Sequence, residues 1–503
     1  MPNPFLPLDE YVPDGEPHVF GGWVYLYGSH DAEGGKRFCE RDYTVWSAPV
    51  DELTNWTCHG VTYKKSQDPR SKAGKLVDYY APDCVRGNDG KYYLYYVAMG
   101  PNTRNFGPMS VAVSDKPEGP FDYLGDIRWP DGRPMTMFLN NDPAVLNDNG
   151  RIWLYYGWGL GRDFRSRLFR PILNYVQSNI FDRPVSEIKA TKPSIMSCVV
   201  VELEEDMLRV KSAPKSVLDS KTTAPKNSEL YRHPFYEAVS IRKFGELYYL
   251  VYSSGYNCEL AYATSKFPDR GFEYRGAIVS NSDLGYRGNR KFKAAGGTIH
   301  GGIECIGGKY YVFYHRCTHN TNFSRQACAE RIEIEADGTI HQVEMTTQGL
   351  AAKPLPAKGL WPAVYCCNLY NHRTRTVPGY GHGSDSPNIT CKDGERFITA
   401  IDDGAVIGFK YFDFKDVSSI SITVRGGSGT MAVFTEETGP VLAGVTLKST
   451  ADWTSYTASL TVENGTHALY FVYRGTKKID FLQFALLANG HHGARQGQGR
   501  RGL

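Results

Sequence analysis

The sequence predicts an all-β chain: a five-bladed β-propeller followed by a β-sandwich of jelly-roll type. Three observations predict it. A glycine-containing turn running into an aromatic-aliphatic strand recurs five times, and a polar residue stands about a dozen residues upstream of each copy. Beyond residue 362 the pattern changes to short alternating strands separated by Gly, Asn and Asp turns. A supersecondary unit repeated at a roughly constant period is how a radial fold is written in a sequence. Alternating strands without a helix period point to a sandwich.

In chain order, the copies are Gly21–Tyr27, Asp89–Tyr96, Asn149–Tyr156, Gly245–Tyr252 and Gly307–Tyr314, and the polar residues before them are Asp14, Asp83, Asp142, Glu237 and His300. One polar group at the same place in every copy predicts inner strands that aim these groups at a shared centre. Residues 1–325 form the propeller in this reading. The long gap between the third and fourth copies, Arg-rich over Leu160–Asn179 and rich in Lys, Ser and Pro over Lys211–Asn227, reads as a rim insertion with one or two helical turns. Residues 326–362 read as a crossover and linker: a strand around Glu330–Ile334, an Asp337-Gly338 turn, and three prolines between Ala351 and Pro362. Residues 363–488 are the sandwich, with strands at Ser419–Val424, Thr430–Phe434, Ser455–Val462 and His467–Tyr473. The Gly, Arg, His and Gln-rich residues 489–503 read as a disordered tail.

Composition narrows the function classes. The 503 residues carry a formal charge of only +3, which offers no electrostatic footprint for nucleic acid or an anionic membrane. The aromatic content of 13% suits strands, and aromatic faces also stack on the C–H faces of sugar rings. Eleven cysteines are scattered without a C-x-x-C pair, so zinc is not indicated, and free thiols fit a reducing compartment. The N-terminal residues show no basic region or apolar run of a signal peptide. A cytoplasmic location follows as the expectation, with neither nucleic acid nor membrane as partner.

Four of the inward-aimed groups are carboxylic acids, and three of them, Asp14, Asp142 and Glu237, could supply the groups for glycosidic-bond chemistry. Breaking a glycosidic bond needs an acid for the leaving oxygen, a base for water, and a neighbour that raises the acid's pKa, because an unperturbed Glu is ionised at neutral pH. An Asp before Pro or Gly, as at Asp14 and Asp142, is most often a turn or cap residue. Glu237 lies in the aromatic run Phe235-Tyr236-Glu237-Ala238-Val239, where an acid is costly to bury without purpose. Equivalent placement of all three favours the chemical reading.

The first 330 residues resemble glycoside hydrolase family 43, a family of inverting enzymes on a five-bladed propeller. The segment from Asp14 into Tyr25-Leu26-Tyr27-Gly28-Ser29-His30-Asp31 is similar to the family's first-blade motif, Tyr80-Ala81-Pro82-Asp83 to the second-blade motif, and Gly297-Thr298-Ile299-His300-Gly301 to the fifth-blade segment. The resemblance implies Asp14 as general base, Asp142 as pKa modulator and Glu237 as general acid. Where the family has Asp-Pro, this chain has Asp14-Gly15-Glu16-Pro17, so Glu16 competes for the base; the register to Leu26 favours Asp14. The resemblance also assigns His300, Arg325 and Asp83 to substrate binding. No cofactor is required, though some members hold a calcium ion with waters at the channel histidine, here His300. Inversion requires the two carboxyls to stand roughly 6.5–9.5 Å apart.

The implied activity is exo-hydrolysis, first as an α-L-arabinofuranosidase on arabinoxylan or arabinan fragments and alternatively as a β-xylosidase or an enzyme with both activities. A lectin-like propeller has no need of a raised-pKa acid. A retaining fructan-type hydrolase is disfavoured because Asn141-Asp142-Pro143 falls in the third blade, not the first. The second domain resembles a family 6 carbohydrate-binding module over Asp403–Phe414 and Tyr473–Leu482, with Trp453 as a sugar platform or a core ring.

Overall fold

Each aromatic copy pairs with the run before it, and the pairing repeats five times. A computed structural model describes residues 2–72, 78–99, 108–135, 141–159, 163, 170–181, 184–190, 196–255, 258–376 and 386–488. It divides into two units, Met1–Ala351 with Arg373–Asp385, and Ala352–His372 with Ser386–Leu503.

The first unit is the propeller. Four blades are four-stranded antiparallel sheets and the fifth has three strands. Their first strands are Glu16–Phe20, Asp78–Arg86, Ala144–Asp148, Phe235–Phe244 and Ile303–Ile306, and each packs beside the first strands of its neighbours. The aromatic copies are the second strands: Trp23–Tyr27, Tyr92–Met99, Arg151–Gly157, Leu247–Ser254 and Lys309–Cys317. Leu26, Leu94, Leu154, Leu250 and Val312 occupy the same place in the repeat, and all are buried. Each removes enough apolar surface from water to contribute roughly 1.5–3 kcal/mol. The intervening tyrosines alternate outward into cores shared with the adjacent blade, such as the cluster of Tyr43, Tyr63, Tyr79 and Tyr96 between the first two blades.

The ring closes by joining its start to its end. Gly15 bridges Gly301 in parallel between the first and fifth blades. The last strand of the fifth blade, Arg325–Ile332, would present a free edge. The N-terminal segment covers it: Phe5 N–H donates to Ala327 O at 3.2 Å, and Ala329 N–H donates to Asn3 Oδ1 at 3.0 Å. The expected propeller boundary at 325 therefore falls one strand too early, because Arg325–Ile332 pairs along the whole of Lys309–Cys317. The rim insertion is also more helical than expected, with helices Arg170–Phe181 and Val185–Ala190, and Lys215–Asp219 is a strand of the third blade.

The second unit is a sandwich of two six-stranded sheets. Phe409, Phe412, Phe471, Phe481 and Phe484 fill its interior with edge-on and tilted ring contacts. The stretch expected to be a linker forms edge strands instead: Leu355–Pro356 joins one sheet and Gly359–Pro362 the other. Proline lacks the N–H a central strand must donate, so an edge is where a proline-rich strand is tolerated. The strand expected at Ser455–Val462 runs from Thr450 to Ser459. Trp453 is half-buried: its indole N–H donates to Glu395 Oε2 at 3.0 Å, and the Arg425 guanidinium lies 4.2 Å from its ring. Residues 489–503, expected to be disordered, lie outside the described residues.

The N-terminal clasp generates a prediction. Asn3 is fully buried, and its side chain donates to Ala329 O and Glu330 Oε1 while accepting from Ala329 N–H. Asn3→Leu leaves these partners buried and unpaired, so it should cost about 2–3 kcal/mol in chemical denaturation.

Candidate active site

The polar residues of the repeat reach the axis because the first strands are distorted at one point. Asp14, Ala81, Asp142 and Ala238 all have positive φ, at 57°, 31°, 47° and 65°, although none is glycine. In the second and fourth blades the distortion coincides with register shifts, between Tyr80 and Asp83 and on both sides of Glu237. Such a bulge turns one side chain out of the pleat, and each left-handed non-glycine residue costs about 1–3 kcal/mol that the surrounding fold must over-determine. Gly28 and Gly159 permit it: a Cβ would stand 2.5 Å from Pro13 O at the first and 2.3 Å from Phe235 O at the second.

Asp14, Asp142 and Glu237 meet in one cavity of about 180 Å³, walled also by Phe38, Trp158 and Arg325. Asp14 Oδ1 accepts from Arg325 Nη1 at 2.9 Å. Burial pushes the Asp14 carboxyl up, but the polar groups around it, Arg325 foremost, together outweigh burial and hold the group below the ordinary range, so it is ionised at neutral pH. The backbone N–H of Asp14 donates to His315 Nδ1 at 3.1 Å, which places the imidazole proton on Nε2, facing Thr298 Oγ1 at 3.3 Å. Burial lowers His315 to about 3, so the ring is neutral and Arg325 is the cation that sets the charge of Asp14.

Glu237 is pushed well above the ordinary carboxylate range by burial and then by the charges of Asp142 and Asp14. Asp142 is raised to about 6, by burial first and by Asp14. The two acids are coupled, and the hydrogen bonds decide which holds the proton. Asp142 Oδ2 accepts from Ala238 N–H at 2.9 Å and from Asn141 Nδ2 at 3.1 Å, donors that favour its ionised form. The proton therefore belongs to Glu237. One pocket thus holds an ionised carboxylate and a protonated carboxylic acid, the pairing that acid/base cleavage needs.

The remaining sequence-expected residues divide. His300 lines the cavity, with Nδ1 at 3.9 Å from Asp14 Oδ1. Arg325 also faces it, but grips Asp31 through Nε and Nη2 (2.8 and 3.0 Å) and Asp14 through Nη1, so it positions the base rather than serving mainly as a hydroxyl ligand. Asp83 is not a substrate ligand. It is fully buried, accepts from Val145 N–H at 2.7 Å and bonds His18 Nε2 at 2.6 Å, away from the cavity. Glu16 is likewise outside the cavity, held by Ser240 and Arg242. Burial pushes it up to about 8 against the pull of Arg242, which makes it unfit as a neutral-pH base.

Sequence reasoning missed Phe38, Trp158, Asp31 and His315 as site residues. His315 had a signal: it follows the aromatic strand of its blade directly, where the other copies carry Gly28, Val97, Gly157 and Ser253. Phe38 had none, because its stacking partner Arg325, 4.8 Å from its ring, is remote in sequence.

Comparison with known proteins agrees with this geometry. Residues 1–175 match the model of glycosyl hydrolases family 43, and residues 380–486 match that of carbohydrate binding module family 6. A "Xylosidase/arabinosidase" of Thermoclostridium stercorarium is 41% identical over 500 residues, covering 96% of this chain and 98% of that protein. The chain belongs to glycosyl hydrolases family 43. Among solved structures, a family 43 enzyme from Xanthomonas citri complexed with xylotriose is 25% identical with a TM-score of 0.52, covering 70% of this chain and 96% of that one. A family 43 β-xylosidase/α-arabinofuranosidase from a compost microbial metagenome, in calcium-free form with xylotriose, is 26% identical with a TM-score of 0.50, covering 68% and 97%. As a family 43 member the chain is a glycoside hydrolase, and its second unit is a family 6-type module.

Two predictions follow from the pocket. Asp142→Asn removes the charge that raises Glu237, so Glu237 should lose its proton at lower pH. The alkaline limb of kcat/KM against pH should then move down relative to wild type. Ala238→Val places a β-branched residue at a φ of 65°, beside Glu237. It should lower kcat by at least tenfold, while Ala238→Gly keeps activity and gains up to about 1 kcal/mol in thermal or denaturant unfolding.

Proposed function

We propose that the chain is an inverting exo-glycosidase that removes terminal α-L-arabinofuranosyl residues from arabinoxylan- or arabinan-type oligosaccharides. The observation that carries this reading is the opposite protonation of two acids in one small cavity. Asp14 is held ionised by Arg325, and Glu237 is held protonated by burial and by Asp142. At about 180 Å³ the cavity is below the ~300 Å³ at which drug-sized pockets begin, a size for one sugar unit rather than a bound polymer. A terminal residue entering such a pocket gives exo-action.

In this mechanism Asp14 takes a proton from water on one face of the anomeric carbon. Glu237 gives its proton to the leaving oxygen on the other face, and the configuration inverts. Asp142 keeps its own charge through the Ala238 and Asn141 donors, and so keeps Glu237 protonated until the glycosidic oxygen draws on it. Arg325 prevents Asp14 from holding a proton in the resting state. The aromatic walls Phe38 and Trp158 exclude water and offer faces to the C–H side of the ring.

A second reading has specific support. The 41% identical relative carries both activities in its name, and the Xanthomonas citri enzyme was solved with xylotriose. Terminal β-xylosyl removal at the same pocket is therefore the alternative, either in place of arabinofuranosyl release or alongside it.

Release of p-nitrophenol from the α-L-arabinofuranoside and the β-D-xyloside tests the reading. Glu237→Gln should lower kcat on oligosaccharides by about 10²–10⁴-fold, and less on aryl glycosides whose leaving group needs little protonation. Asp14→Asn should depress both substrate types alike. The wild-type profile should be bell-shaped: activity is lost at low pH as Asp14 takes up a proton and at high pH as Glu237 loses one. NMR should show the inverted anomer first. Retention, or undiminished turnover by Glu237→Gln on oligosaccharides, refutes the assignment.

A further inference from the structure

Beneath the pocket, on the propeller axis, lies a second buried cluster of charge. Glu16, His18 and Asp83 bring ligand-type atoms within 4.8 Å of one another, a grouping that could hold a metal ion. Calcium is the ion to test, since the resemblance implied it near His300. It requires six to eight oxygen ligands at roughly 2.3–2.6 Å.

The residues present do not fit it. The Arg242 guanidinium already stands among them. Its Nη2 lies 3.0 Å from Glu16 Oε2, 3.3 Å from His18 Nε2 and 2.5 Å from Pro17 O, and its Nε donates to Glu304 Oε2 at 3.1 Å. A dication bound by Glu16 and His18 would be driven against a fixed positive charge. Both Asp83 oxygens and one oxygen of Glu16 are also engaged: Asp83 accepts from Val145 N–H and Cys84 N–H, and Glu16 Oε2 accepts from Ser240 Oγ at 2.9 Å. Arg242 is itself 6% exposed; burial pulls its pKa down, but Glu16, Glu304 and Asp83 together outweigh that and raise it, so it is a permanent cation.

The link to the pocket runs through His300. Its Nδ1 faces Asp14 at 3.9 Å and its Nε2 faces Glu16 Oε1 at 3.8 Å. His300 Nε2 and Glu16 Oε1 are buried, and neither has a hydrogen-bond partner among the described residues. Their spacing suits one bridging water. Gly302 makes room for the arrangement, because a Cβ there would stand 2.5 Å from Ser240 Oγ and 2.7 Å from Glu16 Oε2.

We propose that Arg242 is the built-in axial cation of this propeller: its guanidinium replaces a bound metal ion and, by fixing Glu16, positions His300 beneath the catalytic base. Arg242 touches neither substrate nor the reacting carboxyls and is a positioning residue. The inference uses the proposed function only in its kinetic arm.

Two measurements test it without substrate. Elemental analysis of the dialysed protein should find no stoichiometric calcium, and thermal unfolding should give the same Tm in EDTA as in millimolar calcium. Stoichiometric calcium, or a Tm lowered by EDTA, overturns the proposal. In the kinetic arm, Arg242→Met should lower kcat by about 10–100-fold, the usual cost of losing a group that orients a site residue, with KM little changed. Added guanidinium ion should restore part of the loss, and Arg242→Lys should keep more activity than Arg242→Met. Wild-type kcat in Arg242→Met, or a KM that rises as much as kcat falls, overturns it. If Arg242→Met fails to fold, the lysine variant and the metal measurements decide. If no pentoside is a substrate, the functional reading fails while the calcium and unfolding results still judge Arg242.

Discussion

Three carboxylates share one buried pocket with one guanidinium, and that imbalance governs the chemistry. Arg325 can neutralise only part of the charge, and its reach decides which part. It bonds Asp14 directly and grips Asp31 behind it, so Asp14 keeps its charge. Asp142 has no such cation but has two N–H donors. Glu237 is left with two charged neighbours and the desolvation that its burial brings. Two unit charges about 5 Å apart at an effective dielectric near 20 repel by about 3 kcal/mol, ample to keep one proton in the group. The acid and the base are thus the same kind of group, made different by what lies beside them.

Delivering those groups to one point requires a backbone that breaks its own rules. A regular strand alternates its side chains and would send neighbouring residues to opposite faces. Asp14, Asp142 and Ala238 adopt left-handed conformations that cost free energy in isolation. The cost is borne because each sits at the inner end of a blade whose second strand is buried along most of its length. The aromatic repeats do not touch substrate chemistry, yet they supply the rigidity that lets a strained residue persist. Stability is concentrated in the blades, and strain is concentrated at the axis.

The repeat was legible in the sequence because it is local: the turn, the aromatic strand and the upstream polar residue lie within about twenty positions of each other. The same locality exposed Asp14, Asp142 and Glu237. What the sequence withheld was partnership. Asp83 carries the same place in the repeat as the catalytic acids, but its oxygens are taken by His18 and by a backbone N–H of the next blade, 62 positions away. Arg325 reads as a sugar ligand until Asp31, 294 positions upstream, is seen to occupy its fork. Residues 351–362, with three prolines, read as a linker because an edge strand and a linker share the same composition. Only pairing with a distant strand distinguishes them.

The ambiguity between Asp14 and Glu16 is resolved by depth along the axis. Asp14 stands just before the strand Glu16–Phe20 in a left-handed conformation, and the two acids, two positions apart, address different levels of the same channel. The imidazole of His300 spans the gap, one nitrogen 3.9 Å from the upper carboxyl and the other 3.8 Å from the lower. The upper acid meets Arg325 and the cavity; the lower meets Arg242 and no solvent. The entry into a single blade thereby furnishes a reactive group and, one step deeper, part of the charged floor that supports it. Each level has its own arginine, donated by a different blade, and this keeps the two acids from sharing a role.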